Sequence, residues 1–79
     1  MPTQQQVEPI IAQIRDLIVA AGMPLGVAGG RLDDTWLTVI ITSQQGIRAS
    51  DYANFMSEIE RELRRRGYDE VVLVPALAG

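Results

Sequence analysis

The 79-residue chain contains neither cysteine nor histidine, and its seven cations are all arginine. Without a thiol or an imidazole there is no thiolate nucleophile, no side chain that titrates unaided near neutrality, and no donor set for the usual zinc sites. Most enzyme classes are excluded on that ground. The lack of cysteine also leaves the redox compartment open. No apolar run approaches the roughly 20 residues needed to cross a bilayer, so the sequence predicts no membrane span and no membrane partner. The first residues carry no basic, apolar leader, from which a cytoplasmic setting is expected. Ten acids against the seven arginines give a net charge of −3. Affinity for nucleic acid grows with the number of cations engaged, so this balance disfavours a domain whose main task is neutralising phosphates, while leaving room for a local basic patch.

What is present suffices for one small domain. The apolar fraction, 47%, is that of a globular core and not of a disordered segment. A chain of this size buries only about 60% of its unfolded surface, so stability is expected to be modest, and a partner or a second copy would add to it. One domain is expected over residues 1–79, ordered over about 6–75, with loose tails at 1–5 and 76–79.

From Gln5 to Ala21 the residues Val7, Ile10, Ile11, Ile14, Leu17, Ile18 and Ala21 recur at spacings of three and four, which places them on one face of a helix. Pro9 is expected in its first turn, where a missing amide has no intrahelical partner to lose, and Gly22 just past its end. "MPLGVAGG", Met23 to Gly30, reads as a short strand; Arg31-Leu32-Asp33-Asp34 reads as a hairpin turn. "TWLTVIIT", Thr35 to Thr42, is dense in β-branched and aromatic residues and reads as the best strand. Its alternation places Leu37, Val39 and Ile41 on one face and Trp36, Thr38 and Ile40 on the other. A loop over Ser43 to Ile47 follows, then Ser50 as the N-cap of a second helix with Asp51 in its first turn. Tyr52, Phe55, Met56, Ile59 and Leu63 form that helix's stripe, Gly67 ends it, and "YDEVVLV" from Tyr68 to Val74 reads as a strand that Pro75 terminates. The order helix-strand-strand-helix-strand predicts an α+β fold: a two-layer α/β sandwich, a three-stranded sheet with both helices on one face. The other sheet face is then left open. Trp36, Thr38 and Ile40 on it are the expected protein-interaction residues, for another protein or for a second copy in a homodimer.

The remaining chemistry-bearing residues are weaker candidates. Arg64-Arg65-Arg66 fall where a helix dipole favours cations, and Glu60–Arg64 and Glu62–Arg66 are well-oriented i,i+4 pairs, so the run reads first as a self-paired helix end. Read instead as a contact site, Arg64 and Arg65 join Arg61 and Arg48 as nucleic-acid-binding residues. "GVAGG" lacks the spacing and the following helix of a phosphate loop. Asp33-Asp34 lacks the further oxygen ligands that a metal site needs. Ser50 has no histidine or lysine to activate it, and Glu58, Glu60 and Glu62 are dispersed around a helix and not paired across a cleft. No catalytic residue, cofactor or metal is expected. Tyr52 and Phe55 lie in the apolar stripe and read as core before they read as stacking platforms for bases.

Two short motifs add a resemblance. Ala21-Gly22-Met23-Pro24-Leu25-Gly26-Val27 after the first helix, and Gln45-Gly46-Ile47 before Ser50-Asp51-Tyr52, are similar to the glycine-containing step and the "DGI" turn of the N-terminal domain of the ribosome maturation factor RimP. The likeness covers about residues 7 to 74. It implies the same element order and a ribosome- or RNA-associated role. The departures are a glutamine at 45 in place of the family's aspartate, Val74-Pro75-Ala76-Leu77-Ala78-Gly79 in place of its "SSPG" segment, and no counterpart within these residues of its barrel-like second domain. KH-like domains share a similar order, but no G-x-x-G clamp lies here between two helices.

Overall fold

The computed structural model describes residues 3–43 and 48–76. The chain runs α1 (Gln4–Ala21), β1 (Leu25–Asp33), β2 (Trp36–Ser43), α2 (Ala49–Arg65), β3 (Val71–Pro75). The sheet order is β1-β2-β3, with β1 antiparallel and β3 parallel to β2. The fold is therefore the expected two-layer α+β sandwich.

α1 begins at Gln4, so Gln4 and Gln5 are helical and not part of a loose tail. The amide of Thr3 donates to Gln6 Oε1 at 3.0 Å, which satisfies a group that would otherwise be orphaned at the helix start. This earlier start places Pro9 inside the helix and not in its first turn. The amide that Pro9 lacks would have bonded the carbonyl of Gln5, an exposed residue, so the loss falls on the solvent side of the helix and not in the core. Both helices end in the same way. Gly22 and Gly67 adopt φ of +68° and +93°, which side-chain-bearing residues avoid. The next amide then reaches back: Met23 donates to the carbonyl of Ile18 at 3.4 Å, and Tyr68 to that of Leu63 at 2.9 Å. Because Tyr68 is used in this cap, β3 starts at Val71 and not at Tyr68.

α2 begins at Ala49, with Arg48 at the cap position and no side-chain cap bond; the Tyr52 amide closes the first turn on the Arg48 carbonyl at 3.0 Å. Ser50 is thus within the helix and not its N-cap, while Asp51 does stand in the first turn. The predicted Ser43–Ile47 loop lies outside the described residues, save that Ser43 ends β2.

β1 is longer than its glycines suggest. It continues through Arg31, Leu32 and Asp33, pairing Asp33 with Trp36, so the hairpin turn is Asp34-Thr35 and not Arg31–Asp34. Asp34 takes φ +52°, a left-handed conformation that aspartate tolerates better than most residues. Leu32, paired with Leu37 and packed against the core, keeps this stretch in the strand; Arg31 and Asp33, two apart on the other face, form an exposed ion pair with Arg31 Nε 2.9 Å from Asp33 Oδ2.

One core joins the layers. Ile10, Ile11, Ile14 and Ile18 from α1 and Ile59 and Leu63 from α2 close over Leu37, Val39, Ile41, Val71 and Leu73 of the sheet, all buried. Gly30 lies opposite Val39 on this face, and its bareness lets α1 approach: a Cβ there would stand 3.1 Å from Ile11 Cδ1. We therefore expect Gly30→Val to lower the urea midpoint and cost about 1–3 kcal/mol by overpacking. Gly29→Val, where a Cβ meets nothing within 4 Å, is expected to be near neutral; equal losses at the two positions would refute this account of α1 packing.

β3 is an edge strand. Ala76 donates to the Ile41 carbonyl at 2.8 Å, so in the alternation of a parallel ladder the amides of Leu73 and Pro75 point away from β2. Proline has no amide to leave open there, and the amide of Leu73 donates to Glu60 Oε2 at 2.8 Å. In Glu60→Ala we expect hydrogen exchange at the Leu73 amide to accelerate by about tenfold or more while Val39 at the sheet centre is little changed. Unchanged exchange at Leu73 would show that the carboxylate does not close this edge.

Candidate interaction surface

Register decides what lies on the sheet face that the helices leave bare. Residues opposite one another share a face, so Trp36, Thr38, Ile40 and Thr42 of β2 are joined by Val72 and Val74 of β3 and by Gly26, Gly29, Arg31 and Asp33 of β1. Val72 sits beside Thr38, and Val74 beside Ile40. Trp36 is 47% exposed, one of two large hydrophobic side chains so open among the described residues. Ile40, Val72 and Val74 are half-buried, although neither helix lies on their side of the sheet. The three expected residues do lie together. Val72 and Val74 were not anticipated, since a continuous apolar run does not say which residues face which way until the neighbouring strand is known.

The arginine candidates form no single patch. Arg48 stands at the first turn of α2 and Arg61, Arg64 and Arg65 at its last, roughly 20 Å apart along the axis at 1.5 Å per residue. The expected pairs are present: Arg64–Glu60 at 3.9 Å and Arg66–Glu62 at 3.0 Å, with Arg65 also on Glu62 at 3.1 Å. Arg66 further donates to Gln13 Oε1 of α1 at 2.9 Å, and Gln13 Nε2 donates to the Tyr68 hydroxyl at 3.2 Å. Arg61 makes no ion pair among the described residues; with Arg65 it rims a groove of about 560 Å³ between the helices, floored by Leu17, Ala20, Phe55 and Ile59 and also rimmed by Glu58 and Glu62. Asp33 is engaged by Arg31, and the glycines of "GVAGG" are strand residues.

Tyr52 is neither free nor a stacking platform. Its ring packs on the core, and its hydroxyl donates to the carbonyl of Ile41, tying the first turn of α2 to the end of β2. Burial raises its pKa above the ordinary value of 10.0, partly offset by hydrogen bonds to Ala76 backbone and to the Ser43 side chain. Folding thus favours the neutral phenol.

The class is a two-layer α+β domain in which, among the described residues, one sheet face has no helix over it. A scan against family models, a search of curated proteins and a search of solved structures return no match to the chain.

Because the folded phenol titrates above 10.0, its stabilising contribution is complete below that pH and is lost as pH rises from there through the raised value. Tyr52→Phe should lower stability at pH 7 by about 1 kcal/mol through the lost hydrogen bond, and its stability should fall less steeply than that of the wild type above pH 10. Parallel alkaline limbs in urea titrations of the two proteins would contradict this.

Proposed function

We propose that this chain is a non-enzymatic protein-interaction or adaptor module that docks a protein through the outer sheet face of Trp36, Thr38, Ile40, Val72 and Val74. The observation that carries the reading is the coverage of the sheet: two helices occupy one face, and on the other Ile40, Val72 and Val74 form an apolar cluster beside Thr38, with Trp36 at its end. An uncovered cluster of this kind is where soluble domains bind other macromolecules. The sequence supplies no imidazole or thiol to argue for chemistry instead. A cytoplasmic setting belongs to the same proposal.

A second reading, a ribosome- or RNA-associated factor in the manner of the RimP N-terminal domain, is favoured by one observation: among the described residues Arg61 has no ion pair, and Arg64 is only loosely held at 3.9 Å. The ion pairs of Arg65 and Arg66 and the net charge of −3 speak against it. Its Gln45-Gly46-Ile47 motif lies outside the described residues.

One experiment separates the two. A photo-crosslinking amino acid is placed at Thr38 on the outer face, at Arg61 on α2, or at Asp16 on α1, and each protein is irradiated in its native lysate with and without nuclease. The docking reading expects a discrete protein adduct from position 38 alone, indifferent to nuclease. Adducts from position 61 that vanish with nuclease, and whose yield falls steeply with salt, would replace it with the second reading. Equal labelling from positions 38 and 16 would remove the outer face from consideration.

A further inference from the structure

We infer that the partner seated on the outer face is a second copy of this chain, packed sheet against sheet about a two-fold axis; the inference rests on the docking reading above and names its occupant. Charge is the first argument. The charged side chains that the register places on this face are Arg31 and Asp33, and they are joined to each other at 2.9 Å. Over the residues paired in the sheet the face is therefore neutral, although the chain carries −3. A strongly charged partner gains nothing from such a surface, whereas two copies meet across it without like-charge repulsion.

Shape is the second. Trp36 projects, while on β1 Gly29 leaves a hollow in which a Cβ would meet nothing within 4 Å; at Gly26 the Thr42 hydroxyl fills that space, 3.0 Å from where a Cβ would stand. A surface that carries both a projecting ring and a hollow can complement itself, because an isologous interface presents the same patch from both sides. The face is also of the kind that sheets pack against: two twisted sheets stack with their strands about 30° apart and their side chains interdigitated.

The third argument is what the chain prevents. At the β3 edge the Leu73 amide is taken by Glu60 and Pro75 has none to offer. At the β1 edge the register slips between Val27 and Gly29, a bulge that disrupts a straight ladder. Both edges are thus guarded against strand addition, and the face is not. Its size is modest: with β1 and β2 of nine and eight residues and β3 of five, the plan is at most roughly 15 × 26 Å. With side-chain relief that buries on the order of 600 Å² per copy, the lower end for specific interfaces. An area of that size is compatible with a dimer that exchanges with monomer, its strength set by the quality of the contacts and not by the area.

Sedimentation velocity from about 5 µM to about 1 mM, at ionic strength about 0.15 M, tests this. The wild type should pass from one protomer to two, and the emission of its single tryptophan, Trp36, should shift to the blue over the same range. Thr38→Arg should weaken association by about 100-fold or more by placing like charges face to face, while Asp16→Arg on exposed α1 should leave it unchanged. Gly29→Glu, which fills open space, repeats the test should Thr38→Arg fail to fold. A wild type that stays monomeric throughout overturns the second-copy inference; if the position-38 adduct to a different protein still forms, the docking reading survives it. A dimer that persists in both face variants overturns the inference and the choice of face together.

Discussion

The parallel pairing of β3 with β2 is the constraint from which the rest of the molecule follows. Antiparallel neighbours can be joined by a tight turn, as β1 and β2 are, but parallel neighbours need a crossover, and here α2 supplies it. A crossover helix must lie on one face of the sheet. Its buried residues, Ile59 and Leu63, meet Leu37, Val39, Ile41, Val71 and Leu73, so that face becomes the core. α1, whose four isoleucines need the same kind of burial, has its apolar stripe satisfied on the same side. Once both helices are committed there, no element remains among the described residues for the other side. The open face is a consequence of connectivity and not a local accident of Trp36.

That commitment also explains the arginine run. Above the apolar floor of the groove between the helices, the links at the end of α2 are polar: Arg66 to Gln13, and Gln13 to Tyr68. Arg66 is thereby a structural tie between the end of α2 and the middle of α1. Glu62 holds both Arg65 and Arg66, while Glu60 divides its two oxygens between a long contact to Arg64 and the amide of Leu73. The acidic residues of this helix therefore act on its cations and on the sheet edge at once. Exposed pairs of this kind contribute only about 0.2–1 kcal/mol each, but they leave fewer guanidinium groups free for phosphate than the sequence suggests.

The parts of the fold legible in the sequence were those with a period. The isoleucines of α1 and the alternation of β2 each reported their own geometry, because one face of each element is buried and the other is not. β1 was less legible. Arg31-Leu32-Asp33-Asp34 has the composition of a turn, and nothing in it showed that Leu32 would pair with Leu37 and pack on the core, which carries β1 on to Asp33. Ser50 and Pro9 were misplaced because each helix begins earlier than its apolar stripe, and a stripe marks burial, not the helix start. On the candidate face, Trp36, Thr38 and Ile40 followed from alternation within one strand. Val72 and Val74 required knowing that β3 runs parallel to β2 in the register Thr38–Val72 and Ile40–Val74, which is tertiary information.

An open apolar face and an open sheet edge differ in what they lead to. An edge presents unpaired backbone groups that accept another strand, and the new strand presents an edge of its own, so association through edges continues without limit. A face paired with a face is used up when the second layer arrives. This chain interrupts the first route with a carboxylate on Leu73, a proline at 75 and a bulge in β1, and it flanks the second with a neutral Arg31–Asp33 pair and not with a repelling charge. The distribution of these devices, present at both edges and absent from the face, is what a sequence requires if it is to stay out of fibres and still bind through its sheet.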